Sequence, residues 1–207
     1  MSENLQGNQF ANLSSVIIFI LFLEETLLAW QSNLIEQRFI GWVSILLVKR
    51  PDKEILPSPV DIAIIQHTAT PECMSDEDCE KSVNAIRSFH MNHRGFTDIG
   101  QSFLIGGNGK VYEGAGWEHV GAHTRDYNKR AVGISFIGDF RSKIPSPLAL
   151  KALRSLLSCG VVNKHLSEGY HLVAHSQLSN TDSPGEMLRK HVELWPHWLD
   201  HAKEMLD

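Results

Sequence analysis

Apolar positions in this chain fall into short blocks whose spacing alternates between the strand and helix periods. The block from Asp61 to Gln66 is almost continuously apolar and predicts a buried strand. Ser75, followed by Asp76, Glu77 and Asp78, supplies an N-cap and first-turn acids that favour the helix dipole. Val83, Ile86, Phe89 and His90 then recur at helical spacing, and Gly95 ends the helix. Ser102–Ile105 and Lys110–Glu113 flank the turn Gly106-Gly-Asn-Gly109 and predict a hairpin. Val132–Ile137 reads as another strand. Ser146-Pro147 opens a helix through Leu150, Leu153, Leu156 and Leu157 that closes at Gly160. Tyr170–Ala174 returns as a strand, and Gly185–Leu206 predicts a terminal helix interrupted at Pro196. Elements in this order predict an α/β fold, a central mixed β-sheet flanked by helices.

Punctuation divides the chain near Pro51, where Pro51-Asp-Lys-Glu and Pro57-Ser-Pro59 follow one another. Residues 51–207 are expected to form the compact domain, and residues 1–50 an N-terminal extension. The extension holds two apolar runs, Val16–Leu23 and Ile40–Val48, the second ending at Lys49-Arg50. Each is too short to span a bilayer, and the first has the length of a signal-peptide core. It lacks a preceding Lys or Arg, and Glu24-Glu25 follow it, so a cytosolic protein is the competing expectation. The expectation carried forward is a signal or anchor-like segment, with the domain secreted or membrane-tethered on the outside. A formal charge of −5 and no basic block argue against a nucleic-acid partner.

Cysteine usage bears on compartment. Cys73 and Cys79 bracket Met-Ser-Asp-Glu-Asp, and a helical turn between them brings the two Cα atoms within disulfide reach. Zinc binding is the rival reading, although no further Cys or His stands beside them at ligand spacing. Cys159, within Leu156-Leu-Ser-Cys-Gly160, reads as a buried, inert helix residue.

Three stretches carry the candidate chemistry: Ile64-Ile-Gln-His-Thr-Ala-Thr70, Phe89-His90 through Asp98-Ile-Gly-Gln101, and Val173-Ala-His175 through Ser183-Pro-Gly185. With Gly114-Ala-Gly-Trp117, Gly121-Ala-His-Thr124, Tyr127-Asn128, Gly133-Ile-Ser-Phe-Ile-Gly138 and Trp195-Pro-His197, they form an ordered set. The set resembles the peptidoglycan recognition protein family, whose domain is shared with phage-type N-acetylmuramoyl-L-alanine amidases. The resemblance covers residues 51–200 and favours the Cys73–Cys79 disulfide, hence an oxidising compartment. An Arg-Trp pair that family members carry before the domain finds a loose match in Arg38 and Trp42. Trp117 and Trp195 are expected in the core.

Catalytic members hold zinc through two His and a Cys, with a Tyr beside the metal. At those positions this chain has Gln66, His175 and Ser183, and Gln101 in place of the Tyr. A single imidazole does not make a zinc site, because affinity comes from the full ligand set. His67, next to Gln66 on a strand, points to the opposite face and is no simple substitute. The resemblance therefore implies no catalytic residues, no metal and no cofactor. It implies instead a groove that holds a muramyl-peptide stem through His67, Thr68, His90, Arg94, Gly95, Phe96, Gln101, His123, Asn128 and Lys129. Arg94 suits paired hydrogen bonds to a stem carboxylate. His90 could equally be a satisfied core histidine, and Asn128 could cap a turn. Gly95-Phe96 combines halves of the motifs that go with diaminopimelate-type and lysine-type stems. Lys129 stands where diaminopimelate readers use an Arg, with Arg130 beside it, and the balance leans to diaminopimelate.

The expected function is non-catalytic muropeptide recognition in innate immune sensing of bacteria, with bacterial peptidoglycan as partner and a homo- or heterodimer with family members as a possible assembly. The alternatives are a non-binding regulator that pairs with such receptors and, last, a zinc amidase with unconventional ligands.

Overall fold

The structure is a computed structural model and describes residues 53–206. The apolar runs of the extension, and Arg38 and Trp42, lie outside the described residues.

Strand β1 (Val60–His67) is buried along nearly its whole length because it lies between two parallel neighbours. On one side it pairs with β4 (Ala131–Phe136), Ile64 opposite Gly133 and Gln66 opposite Ser135. On the other it pairs with β5 (Leu166–Ala174), Ile64 opposite Val173. Beyond β4 come β2 (Phe103–Ile105), parallel to it, and β3 (Val111–Glu113), antiparallel to β2 through the Gly106–Gly109 turn. The sheet order is β3-β2-β4-β1-β5. Parallel strands need crossovers, which places helices on the faces and explains the near-continuous apolar runs of β1 and β4. The mixed sheet flanked by helices is the architecture expected from the sequence.

Helix α1 (Asp76–His93) starts where Ser75 Oγ accepts the Asp78 N–H at 3.1 Å. Its Cys79 is buried, whereas the Val83 and Ile86 stripe is half-buried and Phe89 is 47% exposed. The Cys73–Cys79 disulfide, Cα atoms 4.9 Å apart, anchors this start against Gly106 of the hairpin. Farther along, Arg87 Nε (2.9 Å), Lys53 Nζ (3.4 Å) and the Ile99 N–H (2.8 Å) meet the buried Asp98 carboxylate. That carboxylate ties α1, the segment entering β1 and the loop entering β2 together.

Helix α2 (Pro147–Val162) buries Ala149, Ala152, Leu153, Leu156, Leu157 and Gly160 and packs against β5 and β2. Its end departs from the sequence expectation. Gly160 is no terminator; the helix runs two residues further to an Asn163 cap, and Gly160 makes room for the Trp117 ring. A Cβ there would stand 2.5 Å from the indole, which is clamped between Phe103 (4.7 Å) and His165 (5.5 Å). Trp117 is half-buried rather than fully in the core. Trp195 is half-buried too, under the Arg154 guanidinium at 4.3 Å. Cys159, expected to be buried, is half-buried, and Asn163 Nδ2 lies 3.2 Å from its sulfur.

The C-terminal region also differs from its expectation. Instead of one interrupted helix there are α3 (His175–Leu178), α4 (Glu186–Val192) and α5 (Ala202–Leu206). The break begins before Pro196, at Glu193, and His197 and His201 take positive φ of 68° and 52°. The irregular segment is used: Leu172 donates to His197 O (2.7 Å) and accepts from the Leu199 N–H (3.0 Å), covering that part of the β5 edge. Leu199 and Ala202 pack with Ile62, Ile64, Val173 and Tyr127 on one face of the sheet. Among the described residues no helix is long and apolar enough to cross a membrane.

Replacing both Cys73 and Cys79 with Ser is expected to cost about 2 kcal/mol, the chain entropy of a loop of roughly seven residues. A thermal melt reads this as a fall in Tm of about 4–8 °C. Gly160→Ala tests the packing against Trp117. Helix propensity alone would stabilise the variant by about 1 kcal/mol, but overpacking against a clamped ring costs about 1–3 kcal/mol. The expected net effect in a urea titration is destabilisation of up to about 2 kcal/mol, and stabilisation would show that the indole yields.

Candidate functional site

The candidate residues gather in two places that meet over the sheet. The first is the carboxyl end of β1 and β5. Gln66 ends the buried part of β1, 2% exposed, and its amide is held by the Nε2 hydrogen bonds to His123 O (3.0 Å) and Thr124 Oγ1 (3.2 Å). Ser183 Oγ accepts the His67 N–H at 3.1 Å, and Ser183 O accepts from Ser176 N–H, one residue beyond His175. The positions expected to correspond to metal ligands are therefore brought together. His67 and Gln66 face different surroundings, as strand alternation requires. The His67 ring packs near Phe140 and its Nδ1 accepts the Phe140 N–H at 3.2 Å, which leaves the neutral ring protonated at Nε2.

The second place is formed by the loops that enter β2 and β4. His90 Nδ1 accepts the Gly100 N–H at 3.1 Å, so this half-buried ring fixes the loop and stands 5.4 Å from Phe96. Arg94 caps α1 in an exposed position, its guanidinium 5.5 Å from the Phe89 ring centre. Gly95 has φ of +70°, the left-handed conformation that turns the chain sharply after the helix. The Ala122 N–H donates to Gly100 O at 2.7 Å and joins the two loops. Gln101 is half-buried, with Oε1 buried and without a hydrogen-bond partner.

His123 lies flat on the sheet. A Cβ on Gly133 would come within 2.3 Å of the imidazole, and one on Gly121 within 2.7 Å. Burial pushes its pKa down to about 4, opposed by a hydrogen bond to the Ala131 backbone and helped by the nearby His175. It is neutral and 9% exposed, a buried support rather than an open contact. Burial also lowers the pKa of His67, His90 and His175, the last two aided by Arg94 and His67 respectively. Asn128 turns out to cap: its Oδ1 accepts the N–H groups of both His123 (2.9 Å) and Thr124 (2.8 Å). Thr68 Oγ1 accepts the Gly138 N–H at 3.0 Å and lies 2.7 Å from Thr70 Oγ1. Lys129 is exposed and pairs with Glu54 at 2.8 Å.

This donor set does not fit a zinc ion. Gln66 offers only a neutral amide oxygen, a poor zinc donor, Ser183 offers a neutral hydroxyl already used by His67, and His175 remains as one imidazole. Among the described residues, no three His, Cys, Asp or Glu side chains gather at metal-binding distance. Sequence reasoning overlooked Thr124, Ser135 and Glu54. Ser135 was open to discovery, as a polar residue inside the apolar run of β4 with its hydroxyl buried and unpartnered. Glu54 had no local signal, because its partner is distant in sequence.

The N-acetylmuramoyl-L-alanine amidase family matches residues 56–186. A peptidoglycan recognition protein of Trichoplusia ni is 51% identical over 148 residues, 72% of this chain and 81% of that protein. The solved ectodomain complex of the peptidoglycan recognition proteins LCa and LCx, bound to tracheal cytotoxin, superposes with a TM-score of 0.72. Identity there is 46%, covering 73% of this chain and 91% of that one. Peptidoglycan recognition protein LE, in complex with tracheal cytotoxin, a monomeric diaminopimelic acid-type peptidoglycan, superposes with a TM-score of 0.71. It is 40% identical and covers 72% of this chain and 88% of its own. The chain belongs to the peptidoglycan recognition protein family.

Proposed function

We propose that this protein recognises bacterial muropeptides without hydrolysing them, as a sensor in innate immunity. The observation that carries the reading is Gln66. It stands at a metal-ligand position, yet its amide is spent on the loop that walls the groove. Ser183 and Gln101 support the same conclusion, since neither supplies the thiolate or phenol of a hydrolytic site. The relatives bound to tracheal cytotoxin make a stem peptide the natural ligand class to test.

The recognising unit is residues 51–207, with residues 1–50 as an extension. Arg94, exposed at the end of α1 and close to Phe96, meets a stem carboxylate, while Thr68, Asn128 and Gln101 meet amides. Lys129 is the cation for the additional carboxylate of a diaminopimelate stem, and that ligand must displace Glu54 from it. The Cys73–Cys79 disulfide favours an oxidising compartment, so the domain works outside the cell, secreted or tethered. A complex of two different family members around one cytotoxin makes dimerisation over the ligand a reasonable mode of signalling.

Calorimetric titration with diaminopimelate-type and lysine-type muramyl tetrapeptides tests the reading directly, with saturable micromolar binding expected. Arg94→Ala should weaken that binding about 10- to 100-fold, the loss of a charge-assisted pair worth about 1.5–3 kcal/mol. Binding of neither peptide would favour a regulator that acts through protein contacts. Hydrolysis has its own test. The wild-type chain should bind no stoichiometric zinc and release no stem peptide from peptidoglycan. The triple variant Gln66→His, Gln101→Tyr, Ser183→Cys, which restores the ligand set beside His175, should bind one zinc. Release of stem peptide by the wild-type chain would falsify the non-catalytic assignment.

A further inference from the structure

We propose that Gln66 is a positioning residue: its amide is the strut that holds the 121–129 loop in binding-competent form. The proposal rests on the recognition reading above and concerns the same groove. Its starting point is the polar inventory of one dipeptide. The N–H groups of His123 and Thr124 both donate to Asn128 Oδ1, at 2.9 and 2.8 Å. The carbonyl of His123 and the hydroxyl of Thr124 both accept from Gln66 Nε2, at 3.0 and 3.2 Å. Asn128 belongs to the same loop, so its bonds shape the loop without attaching it to anything. Gln66 belongs to β1, 57 residues away from His123, so its bonds fasten the loop to the sheet.

Stability does not explain this choice of residue. Gln66 is 2% exposed, and holding the loop leaves its Oε1 buried and unpartnered. His123 Nε2 and the hydroxyl of Ser135, opposite Gln66 in the strand register, are in the same condition. Unpaired buried polar atoms are costly: an apolar side chain of similar volume at position 66 would remove the Gln66 orphan, while taking the Nε2 donor from His123 O and Thr124 Oγ1. Metal binding does not explain it either, since a neutral amide oxygen is a poor zinc donor and only one imidazole, His175, and the neutral Ser183 hydroxyl stand at the other positions. What the amide does supply is direction. His123 already rests on Gly133 and is hydrogen-bonded to the Ala131 backbone, and the two Gln66 hydrogen bonds fix how Thr124 and the residues up to Lys129 leave that contact. A loop fixed before the ligand arrives loses less conformational entropy on binding.

The test uses the full chain with Gln66→Met, which keeps volume and removes both the donor and the orphan acceptor. Three quantities are read: Tm, amide hydrogen exchange from His123 to Lys129, and affinity for a diaminopimelate-type muramyl tetrapeptide. The expected result is a Tm changed little, the lost orphan offsetting the lost donor, with faster exchange at the His123 and Thr124 amides and protection restored at saturating peptide. Affinity should fall about tenfold, as when a loop spends one-tenth of its time in the competent form. A merely structural role would lower Tm and affinity together and would overturn the proposal, as would unchanged exchange. If Gln66→Met does not fold, Thr124→Val removes one end of the strut and is read in the same way. A wild-type chain that binds neither muropeptide overturns the recognition reading instead, and the exchange measurement then decides on the strut alone.

Discussion

The 121–129 loop depends on one contact between backbone and ring: the imidazole of His123 lies where Gly133 has no side chain. Gly133 sits in the middle of β4, the central strand of the sheet, with Ile64 opposite it. Any Cβ there would lift His123 off the sheet, and with it the residues that Asn128 and Gln66 bind to the same turn. Glycine in a strand interior weakens the strand but permits such an approach. The sheet bears that cost at a site flanked by β1 and β2, whose pairing is intact on both sides of β4.

Around that contact the face of the sheet changes character. Toward one end Ile62, Ile64, Val173 and Tyr127 form an apolar cluster. Toward the other, Gln66, Ser135, His123 and Thr124 are all buried and polar. A core made for stability alone would continue the apolar run, since each unpaired buried polar atom costs about 1–3 kcal/mol. Departures of this kind concentrate where proteins trade stability for function. The pKa of about 4 for His123 belongs to the same pattern: the ring is held neutral by burial and serves shape rather than charge.

Strands β1 and β4 and the hairpin were legible in the sequence because burial on both faces, or a Gly-rich turn, leaves a strong local signature. The start of α1 was legible from Ser75 and the acids after it. What escaped was set by distant partners. Gly160 looks like a helix stop until Trp117 is seen lying against it. The terminal region looks like a broken helix until Leu172 is seen to recruit His197 and Leu199. At the site, motif resemblance suggested positions without their hydrogen bonds. Asn128 and His90 read as ligand contacts or as a turn cap and a core histidine, and in the fold Asn128 caps the His123 turn while His90 holds Gly100. Gln66 read as a missing ligand, and its hydrogen bonds to the far loop had no local signal at all.

The two edges of the sheet carry a consequence for assembly. Edge β3 is three residues long, and edge β5 is capped at Leu172 by the chain running from His197 to Leu199. Neither offers the long row of free backbone groups on which a foreign strand could zip. Copies of this domain crowded along a bacterial wall therefore cannot fuse their sheets into a continuous ribbon. Whatever brings two of them together must use loops and helix faces rather than paired strand edges.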